Sequence, residues 1–273
     1  MSTPARSVLL LGESGVGKTH YGAQLLKRLM RGDGRLRMDG HATNLEPFEA
    51  ALDSLHEGVA AGHTATSSYV DSVWPVAGPG GGRAELIWPD YGGEQIKNIV
   101  TVRRVPRAWQ DRARAVPAWL LLVRLQQTQA DEDIFSKPLA QLRDPVEHRD
   151  LPISGQARLI ELLQMLSFAR GAALPRPRLM VVLTCWDELG LDGTPAEALA
   201  GHLPLLSAYC RTHWPDPAVL GLSALGKPLS PHRRDDDYVN LGPESFGYVV
   251  LPDGSRSADL TLPVQLLLDG TAS

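Results

Sequence analysis

Gly12-Glu13-Ser14-Gly15-Val16-Gly17-Lys18-Thr19 combines three glycines with one ammonium and one hydroxyl in the spacing G-x-x-x-x-G-K-T. Glycines let a backbone turn tightly enough for successive N–H groups to converge on one anion, and a helix starting at Lys18 would aim its positive end at the same point. In such a loop Lys18 reaches the outer phosphates of a nucleoside triphosphate, and Thr19 offers a hydroxyl to Mg²⁺. The backbone from Glu13 to His20 therefore reads as a phosphate cradle.

Two further groups have chemistry of their own. Asp90-Tyr91-Gly92-Gly93-Glu94 places a carboxylate, then a glycine N–H, after the run RAELIW. A carboxylate there accepts hydrogen bonds from Mg²⁺-bound water, and Gly93 allows close approach to a terminal phosphate. Thr184-Cys185-Trp186-Asp187 follows the run LMVVLT, and Ser223-Ala224-Leu225 closes the next apolar run. A carboxylate at Asp187 can accept two N–H bonds from the edge of guanine, a pairing adenine cannot make.

The elements that must position these groups are legible around them. Ser7 to Leu11 is an apolar run suited to a buried strand. Tyr21, Leu25 and Leu29, with Leu26 and Met30, recur at helical spacing up to Gly32. Phe48, Leu52, Leu55 and Val59 predict a second helix with Asn44 as a candidate cap. Tyr69 to Val76 and Arg83 to Trp88 flank a Gly-Pro-Gly turn and predict an antiparallel hairpin. Strands are expected at 119–125, 179–184 and 219–223, and helices at 157–169, about 195–212 and 259–268. Alternation of this kind predicts a mainly parallel sheet between helices.

Order and placement of the three motifs resemble the Ras-like GTPases, and GESGVGKT resembles the phosphate loops of the Rab group. The resemblance implies an α/β P-loop NTPase fold, a three-layer α/β/α sandwich with a mostly parallel sheet and one antiparallel strand. It also implies GTP and GDP as ligands, Mg²⁺ as cofactor, and two switch segments. The nucleotide set is then Glu13, Ser14, Gly15, Val16, Gly17, Lys18, Thr19, His20, Thr184, Trp186, Asp187, Ser223, Ala224 and Leu225. Thr19, Asp90 and a switch threonine form the metal set. Thr64 is preferred for that threonine because TATSSY resembles the family's Thr-to-Tyr spacing, with Thr66 the alternative. Lys18, Thr64, Gly93 and Glu94 form the catalytic set. More narrowly, WPDYGGEQ (88–95), RLQQ (124–127) and GPESFGYVVLPDG (242–254) resemble bacterial double-GTPase proteins of conflict or defence systems. That likeness implies a cytoplasmic protein working beside a second GTPase or an effector.

Two departures from the resemblance bear on function. Thr184-Cys185 stands where the family has Asn-Lys, so the lysine stem that covers the base is missing. Glu94 stands where a glutamine often orients the attacking water, and a carboxylate facing a phosphate is repelled. Slow intrinsic turnover is expected, with a nucleotide-locked scaffold as the alternative and an ATP-dependent enzyme the weaker choice. Arg103, Arg104, Arg107 and Arg124 are weighed as internal arginine fingers against the commoner reading of solvated charges.

Length and composition bound the rest. The 273 residues suggest one domain carrying insertions at about 32–62, 126–156 and 228–257, the last two read as partner-contact surfaces, including Tyr248 to Leu251. The net charge of −4 supplies no positive field for nucleic acid. No apolar run approaches the ~18–20 residues of a membrane span. Two cysteines fit a reducing compartment and no zinc cage. His41, His56 and His63 read as surface or capping residues.

Overall fold

The computed structural model describes residues 6–62, 71–88, 94–128 and 154–269. Among the described residues the strands are β1 (Ser7–Leu11), β2 (Arg37–Met38), β3 (Ser72–Ala77), β4 (Arg83–Trp88), β5 (Ala118–Val123), β6 (Arg178–Thr184), β7 (Ala218–Ser223), β8 (Tyr248–Val250) and β9 (Arg256–Ser257). They form one sheet in the order β2-β3-β4-β1-β5-β6-β7-β8-β9. Neighbours β4, β1, β5, β6 and β7 pair in parallel. The hairpin β3–β4 is antiparallel, as its glycine-rich turn requires, and β8 adds a second antiparallel strand against β7.

Period-2 alternation splits the strands between two cores. Val8 and Leu10 of β1, Leu120 and Leu122 of β5, and Met180 and Val182 of β6 face one side. That side is covered by α1 (Lys18–Arg31), α2 (Glu46–His56), α8 (Asp236–Leu241) and α9 (Leu262–Asp269). Leu9, Leu11, Trp119, Leu121, Val181 and Leu183 face the other. Its cover is α3 (Glu94–Val102), α4 (Arg107–Ala115), α5 (Gly155–Arg170), α6 (Pro195–His202) and α7 (Pro204–His213). Every residue of β1 and β5 is buried, each aliphatic side chain contributing about 1.5–3 kcal/mol. Continuous apolar strands are what a sheet covered on both faces demands.

Several local expectations are corrected. The helix expected over about 195–212 is two helices. Pro204 lacks an N–H and holds Leu203 away from helical geometry, at φ −132° and ψ 64°. Asn44 does not cap α2; it takes a left-handed conformation (φ 49°), and Leu45 is the cap. Tyr248 to Leu251 is no free contact surface, because Val249 and Val250 are buried in the sheet.

Parallel strands ending side by side bring their following loops to one edge, where open α/β sheets bind ligands. The loops after β1, β5, β6 and β7 begin at Gly12, Arg124, Cys185 and Ala224.

Candidate nucleotide site

The loop between β1 and α1 has the conformation its glycines were expected to allow. Gly15 and Gly17 lie at φ 77° and 81°, and the Gly17 carbonyl accepts the first helical bond from the Tyr21 N–H at 3.0 Å. A side chain at either position would be strained. Val16 turns inward to the core, against Gly12 and Leu122, and anchors the loop.

Lys18 lies inside this loop. Its ammonium donates to the Gly12 carbonyl at 2.9 Å and to the Glu13 carbonyl. Burial lowers its pKa to about 8, and the Glu13 charge only partly offsets this. A desolvated ammonium among backbone dipoles is a strong anion acceptor once a phosphate enters.

Glu13 is held from outside the loop: the Arg158 guanidinium of α5 grips its carboxylate with two bonds, Nε to Oε1 and Nη2 to Oε2 at 2.8 Å. Its side chain is thereby engaged by Arg158. Ser14 is exposed. His20 Nε2 accepts the Ala61 N–H at 3.0 Å, which ties the chain just before residues 63–70 to the first turn of α1. Burial, then the Arg124 charge, holds the His20 pKa below its ordinary value, consistent with an unprotonated acceptor nitrogen.

The base motif stands beside the phosphate loop. A Cβ placed on Gly17 would lie 3.7 Å from Cys185 Sγ, and Cys185 takes a left-handed backbone (φ 53°) that turns the chain toward Asp187. Burial pushes the Cys185 thiol up to about 11. Ser223 Oγ donates to Asp187 Oδ1 at 2.5 Å and accepts the Gly226 N–H at 2.8 Å, so one hydroxyl aligns the carboxylate and the Ser223–Leu225 loop. The Leu225 carbonyl accepts from the Tyr238 hydroxyl at 2.7 Å, and Gly247 packs on the Ala224 carbonyl.

Two side chains point elsewhere than expected. The Trp186 ring is buried in the core over Gly221, where any side chain would collide with it, so only its backbone borders the site. The Thr184 hydroxyl donates to the Val123 carbonyl at 3.2 Å, joining β6 to β5.

The arginine-finger candidates also resolve. Arg103 pairs with Glu161, Arg107 with Asp111, and both are exposed. Arg104 is exposed as well. Arg124 binds Glu188 and the Gly15 carbonyl, at the loop and not free to swing. His41 and His56 are exposed as expected.

Thr64, Thr66, His63, Asp90 and Gly93 lie outside the described residues, and Glu94 opens α3. Among the described residues no group of three His, Cys, Asp or Glu side chains could cage a metal. Thr19, at the start of α1, offers a single neutral oxygen donor. That donor chemistry fits Mg²⁺, which keeps several waters and shares phosphate oxygens, and it does not fit a protein-enclosed ion.

Sequence reasoning missed Arg158, Glu188, Tyr238 and Gln127 around this site. Only RLQQ carried a signal, as part of a resemblance.

The family model described as Double-GTPase 1 matches residues 9–267. The chain therefore belongs to the Double-GTPase 1 family, whose matched span contains the whole site, and family and motif together support GTP binding and a GTPase-type function. No curated protein matches the sequence.

Solved structures that resemble the chain include the S. cerevisiae Ski7 GTPase-like domain bound to GTP, at 16% identity and TM-score 0.43, with 82% of this chain and 44% of that one covered. The signal recognition particle receptor SRb-GTP/SRX complex from Chaetomium thermophilum matches at 15% identity and TM-score 0.39, covering 88% and 98%. A bacterial selenocysteine-specific elongation factor, EF-Sec, matches at 14% identity and TM-score 0.39 over 81% of this chain. There the chain spans about a quarter (26%) of the relative. Among the described residues no helix is long and apolar enough to cross a membrane.

Proposed function

We propose that this protein is a GTP-binding regulatory switch that hydrolyses GTP slowly, with residues 1–273 forming one GTPase domain and its three insertions. The reading rests on one observation. A glycine loop after β1 enclosing a half-buried ammonium meets a carboxylate loop after β6, two strands away, with Gly17 beside Cys185 and Asp187 aligned by Ser223.

The division of labour follows from charge. Backbone N–H groups of 13–20 bind the phosphates, and Lys18 neutralises the charge that gathers on the oxygen between the β and γ phosphates as water attacks in line. Asp187 selects guanine through two N–H acceptor positions, and Ala224 and Leu225 present backbone to the same base. Thr19, Asp90 and Thr64 would hold Mg²⁺, which supplies charge neutralisation across the phosphates. Thr64 and Gly93 head the two segments that relax when the γ phosphate leaves. The double-GTPase likeness supports a place in a bacterial signalling or defence system, in the cytoplasm, with a second GTPase or an effector as partner.

Glu94 favours a second reading, a scaffold locked in its triphosphate state, because a carboxylate repels rather than orients the nucleophile's approach. Denaturing the purified protein and identifying the released nucleotide separates the two. GDP supports turnover, GTP that persists through incubation with Mg²⁺ supports the scaffold, and ADP contradicts the guanine assignment.

A further inference from the structure

The turn that follows β5, Arg124-Leu125-Gln126-Gln127, contributes nothing to the roles assigned so far, yet it touches both halves of the site. Arg124 Nη1 donates to the Gly15 carbonyl at 3.2 Å, while its Nε and Nη2 hold the Glu188 carboxylate at 2.7–3.0 Å. Gln126 Nε2 donates to the Glu188 carbonyl at 2.6 Å. The Gln127 amide lies over Gly15, so close that a Cβ there would meet its nitrogen at 2.7 Å. The turn is closed on itself by bonds from the Gln127 and Thr128 N–H groups to the Arg124 carbonyl. Three side chains of one turn thus join Gly15 of the phosphate loop to Glu188, the residue after the base-selecting Asp187.

We propose that Arg124–Gln127 is a clamp that fixes the phosphate loop against the base loop, with Arg124 as its positioning residue, and so sets how long a guanine nucleotide stays bound. The inference rests on the nucleotide reading above and deepens it. Three arguments carry it. A guanidinium is planar and forked, so it satisfies a carboxylate with two donors while a third reaches a carbonyl. The two loops follow β1 and β6, which are separated in the sheet by β5, the strand from which the turn projects. Cys185, whose Sγ would lie 3.7 Å from a Cβ placed on Gly17, carries a short neutral side chain, and the cation at this junction is supplied by Arg124 from the turn after β5.

Nucleotide binding at two ends makes the clamp consequential. Triphosphate and base are held by separate loops, and binding both at once gains from their fixed separation as any two-point attachment does. Without the clamp each end releases more independently. Removing charge-assisted hydrogen bonds at one side is worth about tenfold or more in dissociation rate.

The test uses the full chain and GDP carrying a fluorescent ribose label, with release followed by stopped flow after adding excess unlabelled GDP. Wild-type protein comes first: failure to bind labelled GDP overturns the nucleotide reading itself, not the clamp alone. If wild type binds, Arg124→Ala should release GDP about tenfold faster or more. The double variant Arg124→Ala/Cys185→Lys should recover most of that loss, because a lysine whose stem starts beside Gly17 can cross the same junction. A merely structural arginine would not be rescued from another strand. Gln126 and Gln127 are exposed, so Gln126→Ala/Gln127→Ala tests the clamp even if Arg124→Ala fails to fold. It should release about threefold faster. Unchanged release in that variant, or faster release in Arg124→Ala without rescue by Cys185→Lys, overturns the proposal.

Discussion

The two ends of the site are built from different interactions. Around the phosphate loop the bonds involve charges: Arg158 grips Glu13 and the Lys18 ammonium lies among carbonyls, while Arg124 reaches from this loop to Glu188. Around the base loop, apart from the Asp187 carboxylate and the Glu188 end of the Arg124 pair, they are neutral. Ser223 aligns Asp187, Tyr238 supports Leu225, and Thr184 bonds β5. On the proposed reading an anion of several charges enters the first end, and cations wait there, each with a partner that limits the cost of keeping it out of water. On the same reading the second end discriminates between flat, uncharged rings, and neutral bonds fix its shape without a field that would hold any base equally.

The comparison predicts that the base end fails by losing selectivity. Asp187→Ala should lower the ratio of GTP to ATP affinity by about 10² or more, since a site built to accept two N–H groups discriminates strongly only while the acceptor is present. Competition binding with both triphosphates measures it; an unchanged ratio would remove Asp187 from the base site.

At the phosphate end, pH acts through Lys18. Below about pH 8 it carries its charge in the free folded protein. Above that the proton leaves, so nucleotide binding must take one up, and affinity should fall by up to about tenfold per pH unit. The stability of the free chain moves the opposite way. Its folded pKa lies below the ordinary 10.5, so the unfolded chain binds more protons between about 8 and 10.5 and stability rises with pH across that window. Calorimetry and thermal melts over pH 7–10 should show the two opposed trends.

Arg158→Ala should weaken GTP binding by about tenfold at low salt, because it leaves the Glu13 carboxylate uncompensated beside the phosphates. High salt should narrow the difference, whereas Asp187→Ala should be nearly indifferent to salt. Affinity titrations at two ionic strengths check this.

Tyr238→Phe should have the smallest effect on nucleotide binding. It strips the Leu225 carbonyl of its donor and should cost about 1–2 kcal/mol of stability, or several degrees in a thermal melt, with little change in phosphate affinity.

How much of this was legible in the sequence depended on range. The strand 7–11 and the helix 18–31 stand where they were expected, because each carries its own apolar period and glycine boundaries. The glycine loop and Asp187 were equally local signals. By contrast, Arg158 is 145 residues from Glu13, and Tyr238 lies 13 residues beyond Leu225 in a stretch that reads as an insertion. β8 is three residues long among glycines and prolines, too short for alternation to register, and it becomes a strand only because β7 offers an open edge. α3 and α4 are nine residues each and went unread: among its described side chains α3 buries only Ile96, Ile99 and Val100, and in α4 the charges of Arg107, Arg112 and Arg114 mask the buried pair Trp109 and Ala113. Trp186 was placed at the nucleotide because of its position in the motif, yet the hydrophobic effect draws its ring into the core.

The central claim is that a half-buried ammonium in a glycine loop receives the phosphates of GTP. Calorimetric titration of GTP with Mg²⁺ into the wild-type chain and into Lys18→Ala tests it directly. The account predicts saturable one-site binding by the first and a loss of about a hundredfold or more in the second. Equal affinity in a Lys18→Ala protein that melts like wild type would contradict it.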